Sequence, residues 1–303
     1  MKSHRPIQLA LLCCFFLTGL NPLDTAAQNT VGQQKTLAVI KADKNETTGQ
    51  LSAILESSLE SSFRLSDPEL AEQVVNSSVP NTASAPAKNL FNLSLESAKN
   101  IGLGIGCDLY VLLRSENLRR SSSKKDAYYE AYLVAFFING RTGELLAWKD
   151  LAAEADEAPL ADKALLALFR DYAGQVPGLI KTGLAAEQKN TFDTALFQIA
   201  GDNNGGERGL RTPLPFQRVS PVSTAAAQHL RIEAVVDIEV AIDAKGYITG
   251  TRILRWAGFG LDETVTETVR KMNFRPAILE GKAIPARFLL RYNFRVPVEP
   301  KKE

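Results

Sequence analysis

Residues 236–248 read VDIEVAIDAKGYI, residues 261–272 read LDETVTETVRKM, and residues 286–296 read ARFLLRYNFRV. In the first stretch Val236, Ile238, Val240 and Ile242 alternate with Asp237, Glu239 and Ala241, the period-2 pattern of a strand with one apolar and one wet face. Asp243 to Gly246 follows as a tight turn, with Gly246 free to take a positive φ, and residues 247–254 run back. In the second stretch Leu261, Val265, Val269 and Met272 recur at helical spacing, with Asp262 as the expected N-cap. Glu263 in the first turn and Arg270 and Lys271 in the last each offset the helix dipole by roughly 0.3–1 kcal/mol. Pro276 prevents continuation. In the third stretch Phe288, Leu290, Tyr292, Phe294 and Val296 share one face, and Arg287, Leu289, Arg291, Asn293 and Arg295 share the other. Hairpin, helix and long last strand make a small α+β module over residues 221–298. Its last strand is expected at a sheet edge, where unpaired backbone groups form a docking surface.

Upstream, residues 36–184 read as an α/β domain with a mixed sheet. Residues 36–41 form a short apolar strand, and Thr47 to Gln50 has the spacing of a capping box before a helix carrying Leu51, Ile54, Leu55, Leu59 and Phe63. Asp67-Pro68 restarts the chain as a second short helix. Residues 76–88, rich in Ser, Asn, Ala and Pro, read as a loop, and residues 94–103 as a helix ending at glycines. Residues 108–113 are a strand, and 119–126 a basic hairpin tip. Residues 128–138 (YYEAYLVAFFI) are apolar on both faces apart from Glu130, which predicts a central strand covered on both sides. Asn139-Gly140 signals a turn, 144–148 pairs back, and 160–172 is a helix with Leu165, Leu168, Phe169 and Tyr172 on one side. Residues 185–220, with Asp202 to Gly206 and then Pro213 and Pro215, read as a linker, flexible at the glycines and stiffer at the prolines.

Residues 1–27 read as a signal peptide. Lys2 and Arg5 precede an apolar run of 14 residues (7–20), and Thr25-Ala26-Ala27 places small residues before Gln28. A spanning helix needs about 20 apolar residues. An uncleaved anchor and lipidation are the alternatives; for lipidation Leu11 and Leu12 stand before Cys13 where a small residue is wanted. Cleavage leaves Cys107 as the one cysteine, expected as a buried core thiol, and places the mature protein outside the cytoplasm. A formal charge of +1 gives no field to collect nucleic acid or anionic lipid.

Two resemblances follow from these stretches. The C-terminal module resembles the C-terminal domain of the TonB energy transducers, through VDIEVAIDAKGYI, GFGLDETVTETVRKMNFRPA and GKAIPARFLLRYNF. The most specific matches are Leu261-Asp262, Phe274 to Ala277 and Gly281-Lys282. The resemblance implies a periplasmic domain that recruits the short N-terminal box of outer-membrane transporters as an added strand. The chain departs from that family at Val222-Ser223, where an aromatic-Pro pair is usual, and at Ala234, where a glycine is usual. It also carries a short apolar segment and a globular domain where the transducers have a spanning helix and a Pro-rich spacer. More weakly, residues 36–184 resemble the N-terminal α/β domain of the curli-assembly and FlgO-like lipoproteins, through GIGCDLYVLL and TGELLAW.

Chemistry is sparse. His229 is the one histidine after the leader, expected at the surface or as a cap. Gly102, Gly104 and Gly106 precede a strand rather than a helix, against a phosphate cradle. Asp67 with Glu69, and Asp156 with Glu157, read as solvated carboxylates. No catalytic residue, metal site or cofactor is expected. The expected function is non-catalytic binding of an envelope protein, such as an outer-membrane transporter, by strand addition, linked to transmembrane transport. The expected partner-contacting residues are Arg287, Leu289, Arg291, Tyr292, Asn293 and Arg295, with Trp256 on a loop expected to be exposed. The arginine row reads either as a solvated sheet face or as a landing strip for an acidic or extended partner. A homodimer through the last strand is compatible with the same edge. The alternative is an assembly or scaffold protein whose α/β domain carries the partner site.

Overall fold

The structure is a computed structural model that describes residues 34–78, 90–122, 125–199 and 209–296. The expected signal peptide, most of the loop at 76–88 and the glycine-rich stretch from Asp202 to Gly206 lie outside the described residues. The first half runs β1 (Thr36–Lys41), α1 (Glu46–Leu59), β2 (Arg64–Leu65), α2 (Pro68–Ser78), α3 (Leu95–Ile105), β3 (Leu109–Arg120), β4 (Tyr128–Asn139), β5 (Leu145–Ala155), α4 (Ala158–Ala173) and α5 (Val176–Lys189). The second half runs β6 (Phe197–Ile199), β7 (Leu214–Pro215), α6 (Ala225–His229), β8 (Ala234–Ile242), β9 (Ile248–Arg255), α7 (Leu261–Arg270), β10 (Phe274–Arg275), β11 (Ala277–Leu279), β12 (Lys282–Ile284) and β13 (Ala286–Phe294). The fold is α+β, with a mixed sheet first and the hairpin, helix and long strand last.

The first sheet has the order β2-β1-β3-β4-β5, with β2, β1 and β3 parallel and β3, β4 and β5 antiparallel. Strand β4 is apolar on both faces because both are covered. Ala131, Leu133, Ala135 and Phe137 pack with Leu51, Leu55, Leu59, Leu165, Phe169 and Ile180 from α1, α4 and α5. Tyr132, Val134, Phe136 and Ile138 pack with Ala98 and Ile101 of α3 and with residues of the second half.

Local details refine the sequence reading. Helix α1 starts earlier than the capping-box reading, with Asn45 as N-cap accepting from the Thr47 N–H. Thr47 and Thr48 are buried instead, and the Thr48 hydroxyl lies 2.7 Å from that of Ser115. Helix α3 ends at Gly106, which is left-handed. Gly102 serves close packing: a Cβ there would stand 2.3 Å from the Gly140 carbonyl oxygen. Cys107 is buried, and burial pushes its thiol up to about 11. Residues 185–189 belong to α5, and β6 and β7 also fall within the expected linker, so that segment contributes ordered strands.

The second sheet has the order β6-β13-β8-β9. Val236, Ile238, Val240 and Ile242 of β8 are fully buried with Leu261, Val265 and Val269 of α7. Asp262 is not the helix cap. Its carboxylate accepts the N–H groups of Ala257 and Gly258 and folds residues 256–260 back on themselves. Burial pushes that carboxyl up to about 7 despite the two N–H bonds.

The folded-back loop joins the halves. Trp256, expected to be exposed, is 1% exposed, and its indole N–H donates to the Gly143 carbonyl at 3.0 Å. Phe136 of β4 meets Trp256 at 5.6 Å, Phe259 at 5.4 Å and Phe91 at 5.0 Å between ring centroids. Gly258 packs on the same ring, and a Cβ there would stand 2.3 Å from Phe136 Cζ. Asn92 clamps the second sheet, exchanging hydrogen bonds with the Val235 backbone and donating to the Trp256 carbonyl. On the far side His229 Nε2 lies 2.6 Å from Oε1 of buried Glu130, whose other oxygen accepts from Arg120 Nε at 2.8 Å. Burial works to raise the Glu130 carboxyl, but the bonds from His229 and Arg120 outweigh it and hold the group below the usual carboxylate range. The described residues from Lys35 onward accordingly form one compact unit.

A shared core should unfold as one body. Phe136→Ala should cost about 3–5 kcal/mol and lower a single thermal transition seen equally by far- and near-ultraviolet circular dichroism. Two separated transitions, with only one moved by the substitution, would show that the halves fold independently.

Candidate functional site

Strand β13 is flanked unequally. On one side it pairs with β8 along its whole length, from Ala286 opposite Ile242 to Phe294 opposite Ala234. On the other side β6 covers only Ala286, Arg287 and Phe288, in parallel. Among the described residues, Leu289 to Phe294 have no strand partner on that side. The expected sheet edge is therefore real from Leu289 to Phe294 and covered from Ala286 to Phe288.

Beside the open half lies a groove of about 500 Å³. One wall is Phe288 to Tyr292, with Met272 behind. The opposite wall is Thr212 to Pro215 and Arg218 to Ser220, and Ile199 at the end of β6 closes one end. The outer wall is pinned to the module by backbone pairing: Leu214 and Pro215 pair with Arg275 and Phe274, Arg211 bridges Ile278, and the Phe216 N–H donates to the Asn273 carbonyl. Leu214, Val219 and Leu289 of the lining are exposed. The lining carries two guanidinium groups, Arg218 and Arg291, and no carboxylate. Tyr292 is half-buried, and burial raises its hydroxyl above the usual range, opposed by Arg218.

The alternation of β13 is as expected, but most of its arginines have partners inside the protein. Strand β8 was expected to have one wet face, yet Asp237 and Glu239 on that face are buried. They lie under guanidinium groups from both neighbouring strands. Arg291 donates twice to Asp237, at 2.7 and 3.0 Å, and Arg255 of β9 donates to the same carboxylate at 3.3 Å. Arg287 donates to Glu239 at 2.7 Å and to the Gln198 side chain at 2.8 Å. Its side chain is only 18% exposed, against 56% for Arg291. Arg295 is exposed and lies just past the end of β13, Asn293 is exposed on the ladder face, and Tyr292 lines the groove. Trp256 sits in the shared core, away from the groove lining, because the Asp262 carboxylate turns its loop inward. The outer wall at 212–220 was missed as a site element; its Leu214, Phe216 and Val219 in a proline-containing stretch were the available signal.

Other chemistry is thin among the described residues. No group of three or more His, Cys, Asp and Glu gathers to hold a metal, and no helix is long and apolar enough to cross a membrane. Glu144 of the β4–β5 turn, held above its usual range by burial against the pull of Arg252, is part of the contact between the halves.

Residues 224–296 match the model of the family described as Gram-negative bacterial TonB protein C-terminal. Among solved structures the chain is similar to the hypothetical protein CT253 from Chlamydia trachomatis. The two are 14% identical over 48% of this chain and 98% of that one, with a TM-score of 0.31. It is similar to the TonB C-terminal domain of Pseudomonas aeruginosa, 20% identical over 33% of this chain and 96% of that one, with a TM-score of 0.26. It is also similar to lipoprotein GNA1162 from Neisseria meningitidis, 15% identical over 46% and 98%, with a TM-score of 0.30. No curated protein matches the chain. Residues 224–296 are thus a TonB-like C-terminal module.

The ladder makes two neighbouring arginines unequal. Arg287→Ala strips the guanidinium from buried Glu239 and should destabilise the protein by about 2–3 kcal/mol. Arg291→Ala leaves Arg255 on Asp237 and should cost about 1 kcal/mol. Urea denaturation of the two variants checks the order.

Proposed function

We propose that the protein is a non-catalytic binding protein of the bacterial cell envelope, working in the periplasm. It takes an extended segment of an envelope partner onto the open half of β13 by strand addition. The observation that carries this reading is the half-covered strand facing a groove whose far wall is fixed at 212–220. An added strand finds the side of Leu289 to Phe294 that no described strand covers, apolar surface at Leu214, Val219, Leu289 and Tyr292, and positive charge at Arg218. The match of residues 224–296 to the TonB C-terminal family supports an outer-membrane transporter as the partner class and a role linked to transmembrane transport. The buried loop at Trp256 makes the module a fixed part of a larger body. That favours an adaptor over a tethered transducer.

A second reading rests on β5. This 11-residue strand is the other edge of the first sheet, and an assembly partner or a second copy could pair there instead.

Calorimetric titration of the full chain with peptides copying the N-terminal boxes of outer-membrane transporters tests the first reading. Backbone hydrogen bonds at about 0.5–1.5 kcal/mol each, with apolar contacts at the rim, should give saturable binding below millimolar peptide. Leu289→Glu should weaken binding about tenfold or more without changing the fold, since Leu289 is exposed. Absence of binding at millimolar peptide would refute this reading and leave the β5 edge as the candidate.

A further inference from the structure

Strand β6 occupies the first third of the edge to which the partner is proposed to bind, and several features set it apart from the rest of the sheet. It is three residues long and outermost, and it arrives from the segment after α5. Phe197, Gln198 and Ile199 stand opposite Ala286, Arg287 and Phe288 in parallel register. The groove begins where β6 stops, with Ile199 lining its end, so β6 and the groove lie in line along one strand. Two bonds from Arg287 tie β6 in place: Nη2 to Gln198 Oε1 at 2.8 Å and Nε to the Leu196 carbonyl at 3.3 Å. The third nitrogen, Nη1, stays on Glu239. Loss of β6 would therefore leave Arg287 on its buried carboxylate and β13 fully paired with β8.

We propose that β6 is an exchangeable strand of this chain that occupies part of the docking edge and regulates it. This rests on the docking reading of β13. A partner segment of five or six residues fits beside Leu289 to Phe294 with β6 in place. A longer one reaches full pairing with β13 only by displacing Phe197 to Ile199 from Ala286 to Phe288. Arg287 is the pivot, exchanging Gln198 and Leu196 for acceptors of the incoming strand while it keeps Glu239. The edge thus discriminates by length, and β6 covers Ala286 to Phe288 when no partner is bound.

The test uses the chain's own strand as probe, a fluorescent peptide TFDTALFQI copying residues 191–199. Gln198→Pro removes a backbone donor from β6 and its side-chain bond to Arg287. The full-length variant should bind the peptide at least tenfold more tightly than the unchanged chain. Equal affinity, or no binding to either, would overturn the proposal. Amide hydrogen exchange on the unchanged chain supplies the second arm, which needs no variant to fold. The slowest amide of residues 197–199 should exchange at least a thousandfold faster than the slowest amides of β8. Exchange of both only through global unfolding would overturn the proposal. A chain that passes both arms yet binds no transporter peptide would refute the docking reading and leave β6 exchangeable.

Discussion

The arrangement depends on the contact between Phe136 and the loop from Trp256 to Gly260. One carboxylate, Asp262, gathers the N–H groups of Ala257 and Gly258 and turns the loop so that Trp256 and Phe259 point into the first sheet. Gly258 lets the Phe136 ring lie directly on the backbone. The indole N–H finds the Gly143 carbonyl, so the buried tryptophan leaves no donor unpaired. Asn92 on one side and the Glu130–His229 pair on the other add directional bonds to this apolar contact. Without it the TonB-like module would be a separate domain on a linker. With it, the module presents its sheet at a fixed place on a larger body.

That constraint decides which parts of the second sheet can meet a partner. The inner face is filled by α7 and the shared core, and the outer face is a ladder of arginines over two buried carboxylates. Charges held in such a ladder are largely committed to register and packing, because separating Arg287 from Glu239 would leave a buried carboxylate uncompensated. Beside β13 the edge stays open from Leu289 to Phe294, among the described residues. The apolar residues exposed at 214–219 and Leu289 surround that stretch, where added main-chain hydrogen bonds and buried apolar area act together.

Much of the architecture is written in local periodicity. Val236 to Ile242, the two faces of β13, the α7 stripe and the doubly apolar β4 each reveal their burial by spacing alone, and Gly246 marks its turn by needing φ of 88°. What could not be read was who stands opposite. Asp237 and Glu239 looked wet because alternation cannot show arginines arriving from β9 and β13. Trp256 looked exposed because Gly258 and Gly260 follow it in a loop, whereas Gly258 lets the loop pack on Phe136. Helix α5 was not read from the sequence; Pro177 sits in its first turn, where proline is tolerated. Of the partner-contacting residues read from the sequence, Leu289, Arg291 and Tyr292 line the groove, Asn293 and Arg295 lie at its strand's far end, and Arg287 is tied to β8 and β6.

The central claim is that the open half of β13 is the surface that meets an envelope partner. Site-specific photo-crosslinking in cells, with a photoreactive amino acid at Leu289 and, separately, at exposed Ala152 on β5, tests it most directly. The account requires an adduct from position 289 that maps by mass spectrometry to an extended N-terminal segment of an outer-membrane transporter or another envelope protein. Adducts from position 152 alone, with none from 289, would contradict it and move the interface to the first sheet.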